Sequence, residues 1–306
     1  MHDQASVLRE TVRGDSCEPL LDHSTTQHQP AAIAITSGKG GVGKTNVVAN
    51  LAVSLANMGK QVVVLDADFG MANIDVLLGL APKYNLSDFL YGSKSLDEIV
   101  IEGPSGIRIV PASSGIEQMT ALSGEQQTKL IRGLTQLGAD ADYLLIDTAA
   151  GISSNVINLL LAAGIVILVT APDPTAIVDA YLVVKILAHR EPRKKVHVLV
   201  NSVVDRREAH HVFRQIDSAS RRFLDKPLEL FGFIERDPNL VEAVRQQLPI
   251  VNMLPGASAS RSLINLARKL QQEVTAQHNT AGGLSWNSLF ETPNPATPFG
   301  GTRQLT

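Results

Sequence analysis

A lysine and a threonine that close a glycine-rich run have the chemistry to bind a phosphate group and its metal ion. Residues 38–45 read GKGGVGKT and match the pattern G-x-x-x-x-G-K-[ST]. In such a loop the backbone N–H groups and the start of the next helix bind phosphate oxygens, the lysine neutralises the β- and γ-phosphates, and the hydroxyl group binds Mg²⁺. Glycines 40, 41 and 43 permit positive φ angles and a close approach to phosphate. The candidate nucleotide ligands are Gly38, Lys39, Gly40, Gly41, Val42, Gly43, Lys44, Thr45 and Asn46.

The same letters also form the pattern G-x-G-x-x-G, which is typical of dinucleotide sites. Gly38, Gly40 and Gly43 supply the glycines, and Asp66 follows at about the 20-residue spacing of that motif. A dinucleotide site has no use for a Lys-Thr pair at the helix start, whereas a nucleoside triphosphate with its metal requires both. A turn without a ligand is the third alternative, but four glycines within residues 38–43 cost backbone entropy that a plain turn need not incur. The sequence therefore favours a P-loop.

Carboxylates follow two apolar runs. Residues 61–66 read QVVVLD and residues 142–151 read DYLLIDTAAG, which places Asp66 and Asp147 where the runs end and Asp68 two residues further on. Continuous apolar runs are typical of parallel strands that are covered on both faces, and such sheets bind ligands at the carboxyl ends of their strands. Asp147 therefore has the Walker B arrangement, in which a carboxylate binds magnesium through water. Asp66 and Asp68 could alternatively be ordinary turn-forming aspartates.

The alternation of apolar runs with helical patterns predicts an α/β fold, a doubly wound, mostly parallel sheet with helices on both faces. After the strand that begins at residue 31, further strands are predicted at 61–66, 107–112, 142–147, 165–170, 197–201 and 228–234. Longer helices are predicted at 45–58, 122–137, 174–189, 205–224, 238–247 and 258–274, and short helical pieces within 72–101.

Bulk composition limits the remaining function classes. The 306 residues carry a net charge of -3, so the totals give no electrostatic footprint for nucleic acid, although a basic patch on part of the surface is compatible with them. Cys17 is the single cysteine, which excludes an intramolecular disulfide and a multi-cysteine metal site within one chain. No run of about 18 apolar residues is present. We expect a cytoplasmic protein without direct nucleic-acid binding.

The loop contains a second lysine that the generic pattern does not require. Lys39 cannot fold back onto its own phosphates, so it either points outward to a nucleotide held by a facing subunit or is a solvated loop charge. The run KGGVGKT up to Thr45 resembles the deviant P-loop of the MinD/ParA ATPases. That resemblance implies a homodimer across ATP, in which Lys39 crosses the interface, Asp66 helps to hold the Mg²⁺ shell and Asp68 positions the attacking water.

The resemblance also implies that Asn201 reads the adenine ring. A guanine reader would carry N-K-x-D, but here Asp205 follows Asn201 by four residues and no lysine comes directly after Asn201. This favours ATP over GTP. The predicted site thus has Lys39 and Asp68 as catalytic residues, ATP and Mg²⁺ as cofactors, and Thr45, Asp66 and Asp147 as metal ligands.

Further segments resemble a narrower group, the flagellar-number regulators of the FlhG/FleN family. Residues 3–12, DQASVLRETV, match their N-terminal DQAxxLR motif, which in that family activates the signal-recognition-type GTPase FlhF. Residues 148–152 and the tripeptide Pro172-Asp173-Pro174 are also similar, although that family usually has Glu between the prolines. The resemblance implies an ATPase that regulates the number and placement of polar flagella, with an FlhF-type GTPase and a flagellar transcription regulator or switch-complex protein as partners.

Other members of the superfamily are the alternatives. A cell-division or DNA-partition ATPase shares the P-loop, but the DQA motif argues against it. An iron–sulfur scaffold or nitrogenase-type reductase would need bridging cysteines after the P-loop, and a tyrosine kinase of this superfamily would need a tyrosine cluster.

Four segments are expected along the chain. Residues 1–13 form a partner-activating helix, 14–30 a flexible linker, 31–275 the ATPase domain, and 276–306 a disordered tail. The tail contains Leu284, Trp286, Leu289 and Phe290, a candidate for weak, conditional contact with a membrane. Glu291 is the charge near this cluster and no lysine supports attraction to anionic lipid. A peripheral location at the inner face of the cell membrane, near the pole, would follow from that contact.

Overall fold

A sheet of eight strands forms the centre of the part of the chain that the structure describes. The structure is a computed structural model, and it describes residues 30–68, 73–112 and 124–278. The strands are β1 Ala31–Ser37, β2 Val62–Ala67, β3 Ile101–Glu102, β4 Arg108–Val110, β5 Tyr143–Thr148, β6 Ile165–Thr170, β7 Val196–Val203 and β8 Glu229–Glu235. Their order in the sheet is β3-β4-β2-β5-β1-β6-β7-β8, and only β3 runs antiparallel to its neighbour.

Helices cover both faces of this sheet, as the sequence predicts. They are α1 Lys44–Asn57, α2 Ile74–Leu77, α3 Leu86–Leu90, α4 Leu96–Ile99, α5 Gly124–Gly138, α6 Ser154–Ala162, α7 Pro174–Arg190, α8 Arg206–Leu224, α9 Pro238–Arg245, α10 Ile250–Met253 and α11 Ser258–His278, with a 3₁₀ turn at Pro104–Gly106. One apolar core lies under α1, α10 and α11, and a second lies under α5, α6, α7 and α8. Because helices cover both faces, the strands are buried and apolar over most of their length.

The position of β1 determines where the candidate site residues meet. All seven residues of β1 are buried, and β1 pairs in parallel with β5 on one side and β6 on the other. The P-loop leaves the carboxyl end of β1 in the middle of the sheet. The register places Asp66 of β2 opposite Asp147 of β5, and Asp147 opposite Ile35 of β1. The sheet therefore brings both carboxylates to the edge at which the P-loop begins.

The predicted elements are confirmed, apart from some boundaries. The strand predicted to end at Asn201 is too short, because β7 continues to Val203. Three elements were not foreseen: β3, α6 and α10. β3 has two residues and α10 has four, which is too short for a periodicity to show. α6 does bury Val156, Ile157 and Leu160 at helical spacing, and the prediction missed this pattern.

Several predictions concern residues that the structure does not describe. The N-terminal helix, the linker up to residue 29 and the tail from residue 279 all lie outside the described residues. The last helix, predicted over 258–274, is too short, because α11 continues to His278 and so takes in the first three residues of the predicted tail. The described helices include none that is both long enough and apolar enough to cross a bilayer.

Candidate nucleotide site

The loop of residues 38–43 connects β1 to α1 and has the backbone shape of a phosphate cradle. Gly41 and Gly43 have φ angles of 81° and 88°, a region that side chains other than glycine rarely adopt. A Cβ atom on Gly43 would also lie 2.4 Å from Nδ2 of Asn201. Gly40 does not use this freedom, since its φ angle is not positive. Residue 43 therefore needs glycine for both its backbone angle and its lack of a side chain.

Gly38 is required for a different reason. A Cβ atom there would lie 2.2 Å from the carbonyl carbon of Asp179, in the backbone of α7. The glycine thus permits close packing between the start of the P-loop and this helix. The next loop is tied in as well, because the N–H of Gly151 donates to the carbonyl of Ser37 at 2.8 Å. The strand ends of β1 and β5 therefore form one connected unit.

Lys44 and Asp147 form a buried ion pair at the base of the loop. The Lys44 ammonium donates to Oδ1 of Asp147, and the two side chains are 7% and 1% exposed. Burial raises the pKa of Asp147 and Asp68 adds to that rise, while Lys44 and the hydroxyl of Thr45 oppose it. Oδ2 of Asp147 accepts no hydrogen bond from the described residues. A buried oxygen in this state suits a water molecule of a metal shell.

Asp66 adds a second buried carboxylate to the same edge. Its Oδ1 accepts from the N–H of Asp68 at 3.1 Å, and its Oδ2 from the N–H of Asn73 at 3.3 Å. Burial and the neighbouring charge of Asp147 raise the pKa of Asp66 to about 7. Asp66 and Asp147 have one buried cation, Lys44, between them among the described residues. This excess of negative charge, with the Thr45 hydroxyl beside it, fits a divalent cation such as Mg²⁺.

The second lysine of the loop lies apart from this cluster. Nζ of Lys39 is 3.1 Å from Oδ1 of Asp173 and also contacts the hydroxyl of Thr175, and its side chain is 42% exposed. Asp173 caps α7 by accepting from the N–H of Ala176 at 2.9 Å. The Thr175 hydroxyl, that N–H and Lys39 together hold the pKa of Asp173 well below its usual range.

Lys39 can reach across an interface, as predicted, only if its side chain first changes position. The ion pair with Asp173 holds Lys39 to α7 of its own chain. Lys39 must leave Asp173 before it can contact a nucleotide of another subunit.

Asn201 lies directly beneath the P-loop. Its Nδ2 donates to the carbonyl of Val42 at 2.7 Å, and the residue is 7% exposed. The amide thus supports the loop from within β7. Its role as a reader of adenine stays a prediction.

A cavity of about 520 Å³ opens above the P-loop. The P-loop forms its floor. Asn73 and α2 residues Val76 and Leu77 form one wall, and the end of α9 with Gln247 forms the other. Nε2 of Gln247 joins the two walls, since it donates to the carbonyl of Val76 at 2.7 Å. The sequence patterns do not predict that the end of α9 lines this cavity, because no local pattern marks an exposed helix end as a pocket wall.

A P-loop at the middle of a doubly wound parallel sheet, with a buried lysine and two carboxylates suited to a metal ion beside it, defines a P-loop NTPase.

Comparison with known proteins narrows this class. A family model described as "ParA: NUBPL iron-transfer P-loop NTPase" matches residues 29–271. The chain is 40% identical to the antiactivator FleN of Pseudomonas aeruginosa over 245 residues. This match covers 80% of this chain and 88% of FleN. It is 35% identical to the flagellum site-determining protein YlxH of Helicobacter pylori over 275 residues. This match covers 90% of this chain and 92% of YlxH.

Solved structures agree with this assignment. The MinC:MinD cell division complex of Aquifex aeolicus contains a chain that is 30% identical, with a TM-score of 0.64 over 78% of this chain and 95% of that one. MinD of Pyrococcus horikoshii, solved with Mg-ADP, is 27% identical, with a TM-score of 0.63 over 80% and 97%. The protein belongs to the ParA/MinD family of P-loop NTPases. It is an ATPase whose ligands are ATP and Mg²⁺.

The family model carries a description of iron transfer that this chain does not support. Its single cysteine, Cys17, cannot supply a pair of thiolate ligands from one chain, and the described residues contain no cysteine. Among those residues there is also no group of three or more side chains arranged to hold a metal through His, Cys, Asp and Glu alone.

Proposed function

We propose that this protein is an ATP-dependent dimerising switch that controls the number and placement of polar flagella. The observation that carries the proposal is the combination of a P-loop site with 40% identity to the antiactivator FleN. The second relative, YlxH, is named for determining the flagellum site. A cell-division or DNA-partition role is the weaker candidate, since YlxH is named for the flagellum and residues 3–12 resemble the motif of flagellar-number regulators.

Each side chain of the site has a part in this proposal. The N–H groups of residues 38–45 and the ammonium of Lys44 bind the phosphates, and Lys44 exchanges the Asp147 carboxylate for phosphate oxygens as it does so. Thr45, Asp66 and Asp147 would hold the Mg²⁺ ion and its water shell. The ion supplies neutralisation of the phosphate charge when it is bound. Asp68 orients the attacking water, and Lys39 of the facing subunit stabilises the charge that develops during hydrolysis.

The Lys39–Asp173 pair suggests how the dimer is controlled. Asp173 and Lys39 are both about half exposed, so their attraction is weakened by solvent and can be exchanged for a stronger partner. A triphosphate on a facing subunit is such a partner, because it carries several negative charges in a confined site. ATP binding in one subunit would thus draw Lys39 from the other.

The protein partners and location belong to the same proposal. Residues 3–12 would activate an FlhF-type GTPase, and the ATP-bound dimer would act on a flagellar transcription regulator or switch-complex protein. The site of action would be the cytoplasm and the inner face of the membrane near the pole. The similarity of residues 3–12 to the DQAxxLR motif supports the first of these partners.

The first test separates nucleotide binding from dimerisation. Lys44→Ala should abolish ATP binding, whereas Lys39→Ala should retain it and fail to form a productive dimer; loss of such a cation commonly costs about 10³-fold or more in phosphoryl transfer. Lys60→Ala is a control at a partly exposed lysine. The measurements are ATP affinity, light scattering in ATP and in ADP, and flagella per cell. Equal ATP affinities for both loop variants, or normal flagellation without the protein, would contradict the proposal.

The second test concerns the N-terminal segment. Deletion of residues 1–12 should leave ATP-dependent dimerisation intact and remove stimulation of the FlhF-type GTPase. A synthetic peptide of that segment should restore stimulation in trans. Full stimulation by the truncated protein would show that the motif similarity is accidental.

A further inference from the structure

Positive charge is concentrated in one part of a chain that is acidic as a whole. Residues 185–226 contain eleven of the 27 lysines and arginines but only five of the 30 aspartates and glutamates. This stretch comprises the end of α7, β7 and α8. The net charge of -3 thus conceals a basic region that composition alone does not locate.

Four exposed cations of this region lie at the edge of the sheet opposite the nucleotide site. We call Arg193, Lys195, Arg221 and Arg222 the basic rim. β7 begins at Val196 and runs parallel to β1, so Lys195 lies at the amino end of the strands while the P-loop lies at the carboxyl end. α8 ends at Leu224 on the same edge. The two segments touch there, because Nζ of Lys226 donates to the carbonyl of Pro192 at 2.6 Å.

Carboxylates neutralise this rim only in part. Arg221 pairs with Asp217 at 2.7 Å, but Asp217 also accepts from the N–H of Leu228. Lys195 lies 3.9 Å from Glu229, and both side chains are more than half exposed. Exposed pairs of this kind are weak. Arg193 and Arg222 form no ion pair within the described part of the chain.

An exposed aromatic ring lies within the rim. Phe223 is 66% exposed, and the guanidinium of Arg222 lies over its ring at 5.2 Å. A large apolar group surrounded by cations can enter the headgroup region of a bilayer, where the cations remain among phosphates. A duplex nucleic acid offers no comparable apolar environment to a protruding side chain on its phosphate surface.

The last helix ends on the same edge. At the start of α11, the N–H of Ala259 donates to Asp237, which lies beyond the carboxyl end of β8. Further along α11, Lys269 contacts Leu230 and Phe231, which lie near the amino end of β8. α11 therefore runs towards the basic rim, and the chain continues from there into residues 279–306. After Lys269 the next cation in the sequence is Arg303, so the apolar residues around Trp286 have no basic neighbours of their own.

We propose that the basic rim, with Phe223, is a contact surface for an anionic lipid bilayer. Stable peripheral binding takes two signals, and basic residues near an anionic surface strengthen binding by about fivefold each. The four cations of the rim supply the electrostatic signal, and the exposed ring of Phe223 supplies the apolar one. The nucleotide edge then faces away from the membrane. This inference rests on the proposed function for its membrane location and adds the surface that makes the contact.

The test is flotation of the full-length protein with vesicles of phosphatidylcholine containing about 30% phosphatidylglycerol, in ATP. The variant combines Arg193→Gln, Lys195→Gln, Arg221→Gln and Arg222→Gln. The matched control removes the same number of charges elsewhere on α7 and α8, through Lys185→Gln, Arg206→Gln, Arg207→Gln and Arg214→Gln. ATPase activity of each variant checks that it folds.

The rim variant should lose roughly tenfold or more of its vesicle affinity, and the control should lose less than about threefold. Phe223→Ser alone should weaken binding while leaving its salt dependence unchanged. Equal losses in rim and control variants, or equal binding to pure phosphatidylcholine, would overturn the proposal. So would rim-dependent binding to duplex DNA without binding to vesicles. Flagellar counts and GTPase stimulation test the proposed function separately, so its failure is distinguishable from failure of the lipid contact.

Discussion

Removal of the Lys44 ammonium should destabilise the fold in a way that depends on pH. Lys44→Met keeps most of the apolar stem and leaves the Asp147 carboxylate, 1% exposed, without the cation that contacts it. Loss of one partner of a buried ion pair costs about 3–5 kcal/mol. The variant can lower this cost by protonating Asp147, whose pKa is already raised by burial.

The stability that Lys44→Met loses at each pH depends on the cost of protonating Asp147. Neutralising a carboxyl group with an unfolded pKa of about 3.9 costs about 4 kcal/mol at pH near 7, but only about 1.5 kcal/mol at pH near 5. In Lys44→Met the pKa of Asp147 is higher in the folded than in the unfolded state. The contribution of protonated Asp147 to the free energy of unfolding is therefore fully present below about pH 4 and is lost as the pH rises through the folded pKa. Lys44→Met should therefore be more damaging in neutral than in acidic buffer.

The assay is urea unfolding without nucleotide or metal at both pH values. The set comprises wild type, Lys44→Met, Asp147→Asn and the double variant, with Lys60→Met as the matched control. Lys60 lies 3.9 Å from Asp142 in a pair that is about one-third exposed, so its loss should cost no more than about 1 kcal/mol. The double variant should recover most of the loss of Lys44→Met. An equal loss at both pH values, or additive effects in the double variant, would refute this reasoning.

Three further predictions use other contacts of the site. The pKa of Asp66 is raised to about 7, so the stability of the metal-free protein should fall as the pH rises from about 4 to 7, and Asp66→Asn should flatten that slope in urea unfolding. Gly38→Ala should cost about 1–3 kcal/mol of folding stability and weaken ATP binding, because the new Cβ meets the α7 backbone, whereas Gly40→Ala meets no protein atom within 4 Å and should leave the stability of the nucleotide-free protein unchanged. Asp173→Asn keeps an oxygen to cap α7 but loses its charge, so it should release Lys39 and strengthen ATP-dependent dimerisation a few-fold by light scattering; a weaker dimer would count against a restraining role.

The sequence was sufficient for the parts of the site that local motifs define. The P-loop, Lys44 and the two strand-end carboxylates lie where the pattern predicts, because a parallel sheet brings the carboxyl ends of its strands to one edge. The order of apolar runs and helical patterns was also sufficient for the layers of the fold.

Contacts between distant parts of the chain could not be predicted in this way. Lys39 meets Asp173 across 134 residues, and Gln247 meets the backbone of Val76 across 171. Each contact depends on the packing of whole helices against the sheet. Gly38 shows the same limit, since the motif explains a glycine by phosphate binding while the structure explains it by the backbone of α7.

The outer strand β8 has a feature with a consequence for self-association. Val198 pairs with Leu230 and Leu199 with Gly232, so Phe231 forms a bulge. The ammonium of Lys269 donates to the carbonyls of Leu230 and Phe231 in this strand. Bulges and lysines are two devices that prevent an exposed strand from pairing with another chain. At the other end of the sheet, β3 has only two residues to offer. Growth of the described sheet by strand addition is thus discouraged at both ends.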